Sequence, residues 1–444
     1  MDLTLKAAAA AAQSEAFGAD VRLRGLGLDS RRVRAGELFV ALAGDHVDGH
    51  DYVEEAGRQG AAAALVARRL PIDLPQILAP DVTVALGRIA RYWREQLAVR
   101  VVAITGSNGK TTVKEMIASI LSRIGPTLAT RGNYNNELGV PLTLGRLAPE
   151  HRFAVIEMGC GQPGDIRYLA DLARPEIGVV TNAGPAHLER LGSVEGVART
   201  KGELFESLPA SGTAVINGDD TFADDWSSRS AHCARLSFGA AKGCDVRELA
   251  GNGPMLAMDT PIGRIETRLA LPGAHNRMNA LAATAAAIAL NVSKDDIETG
   301  LAAVRSLPGR LEAHSTAAGW TLIDDTYNAN PASLYAGLKV VADSGDEAWL
   351  VLGDMAELGE DSERMHAEVG QSAADLGVKR LFAVGRDSAA AVVAFGQGAK
   401  HYDSHAALAS ELKGAVHEGV VCLVKGSRSS AMESIVQDMI GEER

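Results

Sequence analysis

The chain has 444 residues, 46% apolar and 23% charged, and carries a net charge of −12. That length exceeds one core and, at about 150 residues per domain, points to three domains of an ordinary soluble globular protein. The acidic balance, without clustered Lys and Arg, argues against nucleic acid as a partner, and no apolar run approaches the roughly 18 residues that span a membrane.

Residues 1–82 read as a small α/β unit. Met1 to Gln13 is alanine-rich, with a single Lys6 and no strongly apolar stretch, so it reads as a first helix and not as a signal peptide. Leu38–Leu42 and Ala61–Val66 read as strands, with a helix over Tyr52–Gly60 between them. Pro71, Pro75 and Pro80 crowd a short stretch that reads as a linker or an irregular edge. Cys160, Cys233, Cys244 and Cys422 form no C-x-x-C pair, so free thiols in a reducing cytoplasm are expected.

From 83 to 306, strand and helix alternate. Arg100–Ile104, Phe153–Glu157, Ile177–Thr181 and Ala214–Asn217 are near-continuous apolar runs, as expected of parallel strands covered on both faces. A doubly wound sheet follows. Residues 236–272 read as a small antiparallel excursion, and a helix over His275–Leu290 closes the unit.

The most informative stretch is Thr105-Gly-Ser-Asn-Gly-Lys-Thr-Thr112, between the first of these strands and an amphipathic helix carrying Val113, Met116, Ile117, Ile120 and Leu121. Glycines let backbone N–H groups converge on anionic oxygens, and the helix N-terminus adds partial positive charge. Lys110 can reach terminal phosphates, and the Thr111 hydroxyl can bind Mg²⁺. The general phosphate-loop pattern asks for glycine at position 104, where Ile104 stands, so the loop is a shortened variant. Gly106, Ser107, Asn108, Gly109, Lys110, Thr111 and Thr112 are the candidate phosphate-binding residues.

Leu307-Pro-Gly-Arg-Leu311 marks the next boundary, and residues 307–444 restart the alternation. Strands are expected at Thr321–Asp324, Trp349–Leu352, Leu381–Val384 and Val420–Val424, with helices near 331–343, 362–376, 386–396 and 430–441. This is a second, Rossmann-like sheet without a G-x-G-x-x-G turn.

Other polar groups fall at strand ends, where open α/β sheets bind ligands. Glu157 ends an apolar strand; as a hard oxygen donor it suits Mg²⁺, and it equally suits a helix-capping carboxylate. His187, in Thr181-Asn-Ala-Gly-Pro-Ala-His187, lies at the same sheet edge, although a lone histidine is more often structural. Lys201 reads as a solvated lysine on a helix. Asp324-Asp-Thr-Tyr-Asn-Ala-Asn-Pro331 is more polar than a turn requires. Asn276 and Asn279 fit either a helix start or contacts to a base or ribose.

Taken together, these segments resemble the Mur ligase family, ATP-dependent amide-bond-forming enzymes of bacterial cell-wall precursor synthesis. The phosphate loop, Glu157-Met-Gly159, His187, Lys201, His275-Asn-x-x-Asn279, Gly309-Arg310-x-Glu312 and Asp325-x-Tyr327 follow in the family's order, across all three units. Asn133-Tyr-Asn-Asn-Glu-Leu-Gly-Val-Pro141, Asp325-Thr-Tyr-Asn-Ala-Asn-Pro331 and Gly353-Asp-Met-Ala-Glu-Leu-Gly359 are most similar to the branch that adds a dipeptide. An Asp-Asn/Asp-Pro-Arg motif, usual in the sister branch that adds the third stem residue, does not occur.

The resemblance implies three α/β domains: a small N-terminal domain, a central P-loop-type mostly parallel sheet and a C-terminal Rossmann-like sheet. It implies ATP, two Mg²⁺ ions and a carbamylated Lys201. Thr111 and Glu157 would hold one ion, and His187 with Lys201 the other. Asn279 and Arg310 would orient ATP, and Asp325 its ribose. Ser30 and Arg31, in Asp29-Ser-Arg31, would meet the uridine nucleotide. Asn135, Asn136, Tyr327, Asn328, Asn330, Lys425, Ser427 and Arg428 would face the peptide substrates. Those substrates would be UDP-MurNAc-tripeptide and D-Ala-D-Ala, coupled by a cytoplasmic monomer. The rival expectations are a sister ligase adding the third stem residue, a folylpolyglutamate synthase, a P-loop NTPase or small-molecule kinase, and a non-catalytic binding protein of the same fold.

Overall fold

The computed structural model describes residues 1–44, 46–186, 188–249, 253–344 and 347–441. Three larger sheets follow one another along the chain, and a short antiparallel pair, Leu3–Thr4 with Arg22–Leu23, sits beside the first.

The first sheet has five strands in the order Glu15–Phe17, Gln76–Leu78, Ala63–Val66, Glu37–Val40 and Gly25–Gly27. The proline-crowded stretch is therefore not a linker. Gln76–Leu78 is an interior strand, parallel to Ala63–Val66 and antiparallel to Glu15–Phe17. Proline lacks the ladder donor, and here the flanking prolines fall outside the strand. Pro75 needs only its carbonyl, which accepts from the Ala64 N–H at 2.9 Å.

The central sheet has nine strands. Thr127–Ala129, Phe153–Glu157, Arg100–Thr105, Ile177–Val180, Thr213–Asn217, Ala234–Gly239 and Val246–Glu248 lie side by side and parallel. Only Met255–Asp259 runs against them, pairing antiparallel with Val246–Glu248 on one side and with Ile265–Arg268 on the other. The expected antiparallel excursion over 236–272 is thus half right: its first two strands extend the parallel sheet. Residue alternation explains the apolar runs. Val101 and Ala103 face a core shared with Leu38, Leu65, Leu86 and Ile89 of the first 95 residues. Val102 and Ile104 face the opposite core, with Val113, Met116 and Ile120 of the helix Lys110–Ser122. The helix Ala274–Ala289 joins that second core through Ala280, Ala283 and Ala287, whose small side chains allow close helix–helix approach.

The third sheet has six strands in the order Glu312–Ser315, Thr321–Asp325, Val420–Lys425, Glu347–Gly353, Arg380–Val384 and Ala399–Tyr402. All pairs are parallel except the first. The edge strands Glu312–Ser315 and Ala399–Tyr402 and the helix His405–Ala415 were not expected from sequence. The helix Pro331–Ala342 opens with a capping box: the Asn330 side chain accepts from the Ser333 N–H while the Ser333 hydroxyl receives the Asn330 N–H. No helix among the described residues is long and apolar enough to cross a membrane.

Candidate active site

The carboxyl ends of the central strands and of Thr321–Asp325 open onto one cavity of about 960 Å³. Gly106 and Gly109 shape its floor. Gly109 takes φ +82° and starts the helix Lys110–Ser122; a Cβ there would collide with Asn279. At Gly106, φ +151°, a Cβ would collide with the Thr181 hydroxyl. Only glycine allows the backbone this close. The loop is then clamped by the next strand end. The Ser107 N–H donates to the Asn182 carbonyl at 3.0 Å, the Asn108 N–H to Asn182 Oδ1 at 3.0 Å, and the Thr181 hydroxyl to the Asn108 carbonyl at 2.6 Å. Thr181 and Asn182 thus hold the loop and line the cavity, a placement not expected from sequence; their position as a strand-end Thr-Asn pair was the available signal.

Behind the loop, three groups meet. The Thr111 hydroxyl donates to Glu157 Oε2 at 2.8 Å and accepts from Arg310 Nη2 at 2.9 Å. Glu157 Oε1 accepts from Asn135 Nδ2 at 2.8 Å. Glu157 is 2% exposed and Thr111 8%, so this is a preorganised, largely desolvated cluster. The strand-end carboxylate therefore does not cap a helix. Its backbone N–H is fixed by the Thr130 hydroxyl at 3.0 Å, and the Thr130 carbonyl in turn receives the buried Lys114 ammonium at 2.8 Å.

Lys110 curls over the loop, its ammonium donating to the Gly106 carbonyl at 2.6 Å and the Ser107 carbonyl at 3.3 Å. Burial, with the nearby Lys201 charge, pulls its pKa down to about 8, against the opposing pull of Glu157. Anionic phosphate oxygens are the natural partner for such a cation.

Lys201 is not solvated. It lies 2% exposed on the helix Val194–Glu206, and its amine meets Cys160 Sγ at 3.6 Å. The reading of a solvent-facing lysine fails because that helix is buried on most of its surface. Even Glu203 is turned inward, accepting from the Gly164 N–H at 2.9 Å and the Arg167 N–H at 3.1 Å. His187 lies outside the described residues.

The third sheet closes the cavity from the other side. The Arg310 guanidinium stacks over the Tyr327 ring at 3.9 Å, and Asn330 Nδ2 donates to Asn108 Oδ1 at 2.8 Å, directly onto the loop. Asp325 Oδ2 accepts from Lys425 Nζ at 2.5 Å, and Asp325 Oδ1 from the Leu311 N–H at 3.2 Å. Lys425 also donates to the Asn328 carbonyl at 2.9 Å. Burial pushes the Asp325 carboxyl up, with Lys425 pulling against it. Both groups line the cavity already paired with each other. Burial and then Lys425 hold His275 down to about 4, so its ring is neutral at neutral pH.

Most of the expected residues are thus gathered around one cavity: Ser107 to Thr112, Asn135, Asn136, Glu157, Asn279, Arg310, Asp325, Tyr327, Asn328, Asn330 and Lys425 line it. Asn136 and Asn279 are also held from within, by the Gly139 N–H at 2.9 Å and by Asn276 Oδ1 at 3.1 Å. Six expected residues are not among the lining: Gly106 and Lys201, placed above, and Ser30, Arg31, Ser427 and Arg428. Ser30 donates to Glu55 Oε2 at 3.2 Å and Arg31 pairs with Asp29, both in the first unit. Ser427 is tied to the Asp354 carbonyl at 2.7 Å, and Arg428 pairs with Glu433 at 3.2 Å.

Several observations on this cavity fit a hard divalent cation and a nucleotide. Thr111 and Glu157 bring a hydroxyl and a carboxylate together at the start of the loop helix, an oxygen donor set of the kind Mg²⁺ selects. The loop packs so closely on Thr181 and Asn279 that a Cβ at Gly106 or Gly109 has no room. Lys201 fits a second ion only after its amine is converted to an anion.

A phosphate loop facing a second strand-end cluster, on three successive α/β sheets, is the architecture of a multidomain nucleotide-dependent ligase. The chain belongs to the Mur ligase family: residues 22–105 match the family's catalytic domain, 104–287 the Mur ligase middle domain and 309–428 the glutamate ligase domain. It is 44% identical to the UDP-N-acetylmuramoyl-tripeptide–D-alanyl-D-alanine ligase of Escherichia coli K12, over 95% of both chains. Its fold superimposes on MurF from Acinetobacter baumannii with a TM-score of 0.94 and 34% identity, over 99% of each chain. It also matches MurF ligase from Thermotoga maritima, solved in complex with ADP, with a TM-score of 0.84 and 28% identity, over 94% of this chain and 97% of that one.

Proposed function

We propose that this chain is an ATP-dependent amide ligase that joins D-alanyl-D-alanine to UDP-N-acetylmuramoyl-tripeptide in the cytoplasm, in peptidoglycan precursor synthesis. The observation that carries the reading is the Arg310–Thr111–Glu157 chain, which ties the third sheet to the phosphate loop of the second. A kinase or switch NTPase needs no such second strand-end cluster; a ligase that must shield an activated acid from water does. The 44% identity over 95% of the E. coli enzyme supports the same branch.

The γ-phosphoryl passes from ATP to a free carboxylate oxygen of the tripeptide, giving an acyl phosphate and ADP. The dipeptide amine then attacks the acyl carbon, a tetrahedral intermediate forms, and phosphate leaves. In this reading Lys110 and the loop N–H groups bind the phosphoryl oxygens and stabilise charge as it moves. Arg310 orients the nucleotide while holding the Thr111 hydroxyl toward Glu157. Asn279 flanks the loop and contributes to nucleotide binding. Mg²⁺, held by Thr111 and Glu157, would supply charge neutralisation at the phosphates. Carbamylated Lys201 with His187 would hold a second ion. Asp325 serves the nucleotide ribose from its pairing with Lys425. Asn135, Asn136, Tyr327, Asn328 and Asn330 border the space for the peptide substrates, Ser427 and Arg428 extend that surface, and Ser30 and Arg31 serve the uridine nucleotide. The functional units are taken as 1–82, 83–306 and 307–444.

Phosphate release from ATP, measured with UDP-MurNAc-tripeptides ending in meso-diaminopimelate or in lysine, tests this reading. Release is expected only when ATP, tripeptide and D-Ala-D-Ala are all present. Amide formation with a free amino acid in place of the dipeptide would move the chain to a sister branch. A phosphorylated end product without an amide would make it a kinase. A second expectation concerns the bridge: Arg310→Ala should lower kcat by about 10²-fold, the scale for removing one transition-state donor. Its melting temperature should barely move, because among the described residues the Arg310 side chain contacts only the cavity groups Thr111 and Tyr327; thermal denaturation beside the kinetic assay checks both.

A further inference from the structure

A second cluster of metal-binding side chains lies outside the cavity. Glu312, His314 and Asp324 each offer one donor atom, and these atoms all lie within 4.8 Å of one another. The backbone explains the convergence. Glu312–Ser315 and Thr321–Asp325 are antiparallel, with Glu312 directly opposite Asp324 and His314 opposite Leu322. Side chains alternate along a strand, so 312, 314, 322 and 324 share one face. Asp325, one residue on, points to the other face and into the cavity.

Three features of this cluster call for a cation. Two carboxylates directly opposite on paired strands repel each other, and among the described residues neither Glu312 nor Asp324 is paired with a lysine or arginine. His314 Nε2 is buried at the atom, and no hydrogen-bond partner reaches it; its nearest ion-pair partner is Glu312 Oε2 at 3.8 Å. Asp324 is already oriented, its Oδ1 accepting from the Thr326 N–H at 3.0 Å and the Thr326 hydroxyl at 2.6 Å, as outer-shell hydrogen bonds orient metal ligands. The side chains of His314 and Glu312 are 28% and 31% exposed, which leaves an entry path and room for water as a further ligand.

We propose that Glu312, His314 and Asp324 bind one divalent transition-metal ion of the zinc type. An imidazole nitrogen with two carboxylates favours such an ion over Mg²⁺ or Ca²⁺, which prefer oxygen alone. The ion staples the edge strand to its neighbour. Arg310 stands two residues before Glu312 and Asp325 immediately follows Asp324, so the staple fixes the wall that carries both cavity residues.

The test uses tag-free full-length protein, stripped with a chelator and held in excess Mg²⁺ and ATP so that the cavity is saturated. Zn²⁺ is titrated by calorimetry, Co²⁺ by visible absorption, and the zinc-loaded protein is examined by X-ray absorption. One equivalent is expected to bind, to raise the melting temperature and to show nitrogen and oxygen neighbours at about 2.0–2.2 Å. His314→Gln and Asp324→Asn should each weaken binding by at least about tenfold. No binding would overturn the proposal. Sulfur neighbours at about 2.3 Å would also overturn it, placing zinc on cysteines, and so would affinity unchanged in both folded variants. The wild-type stoichiometry and ligand distances stand even if a variant fails to fold.

Discussion

Lys110→Ala is expected to cut phosphate release by about 10³-fold or more, on the scale seen when a cation that stabilises a transferring phosphoryl group is removed. The fold should survive. The Lys110 ammonium is bonded only to the Gly106 and Ser107 carbonyls of its own loop, and it forms no ion pair among the described residues. Removing it relieves a desolvated cation, one whose pKa burial already depresses to about 8, and leaves no buried carboxylate unpaired. Melting temperature near that of the wild type, beside lost turnover, is therefore the expected pair of results. Normal turnover would remove the phosphate-binding role of the loop.

Lys201→Ala should be nearly as damaging, by about 10²-fold or more, and rescue by short acids is the telling part. Lys201 is 2% exposed and, among the described residues, meets no carboxylate; its amine contacts only Cys160 Sγ at 3.6 Å. A buried ammonium without an anion is costly, whereas a carbamate in the same place is an anion able to ligate a cation beside the phosphates. A formate or acetate ion filling the space left by alanine would restore that charge. Activity should rise with added short acid in the variant, and should depend on bicarbonate in the wild type. Full activity of Lys201→Ala without any added acid would dispose of the carbamate.

The parts of this site that were legible in the sequence are those written locally. The loop Gly106–Thr112 sits between an apolar strand and an amphipathic helix, and contiguous residues carry both signals. Glu157 was legible as a strand end, because five buried residues in a row leave little doubt where the sheet edge falls. Long-range pairing was not legible. Asp325 and Lys425 are 100 residues apart and meet because their strands lie side by side in parallel register, a fact of strand order that neither segment states. Asp325 was expected to serve the ATP ribose and Lys425 to face the peptide substrates; the two are paired with each other at the cavity wall. Lys201 was misread for a related reason: Lys-Gly-Glu looks like a solvated face until the helix is found packed on several sides. The strand Gln76–Leu78 was obscured by prolines that stand just outside it, and Ala399–Tyr402 by its shortness and single fully buried residue.

The central claim is that the loop-bound triphosphate activates the tripeptide carboxylate. Tripeptide labelled with ¹⁸O in that carboxylate, turned over with ATP and D-Ala-D-Ala, tests it most directly by mass spectrometry of the products. One labelled oxygen is expected in the released phosphate, since the acyl phosphate breaks between carbon and that oxygen. Amide product formed with unlabelled phosphate would show that the acid was never phosphorylated, and would contradict the account.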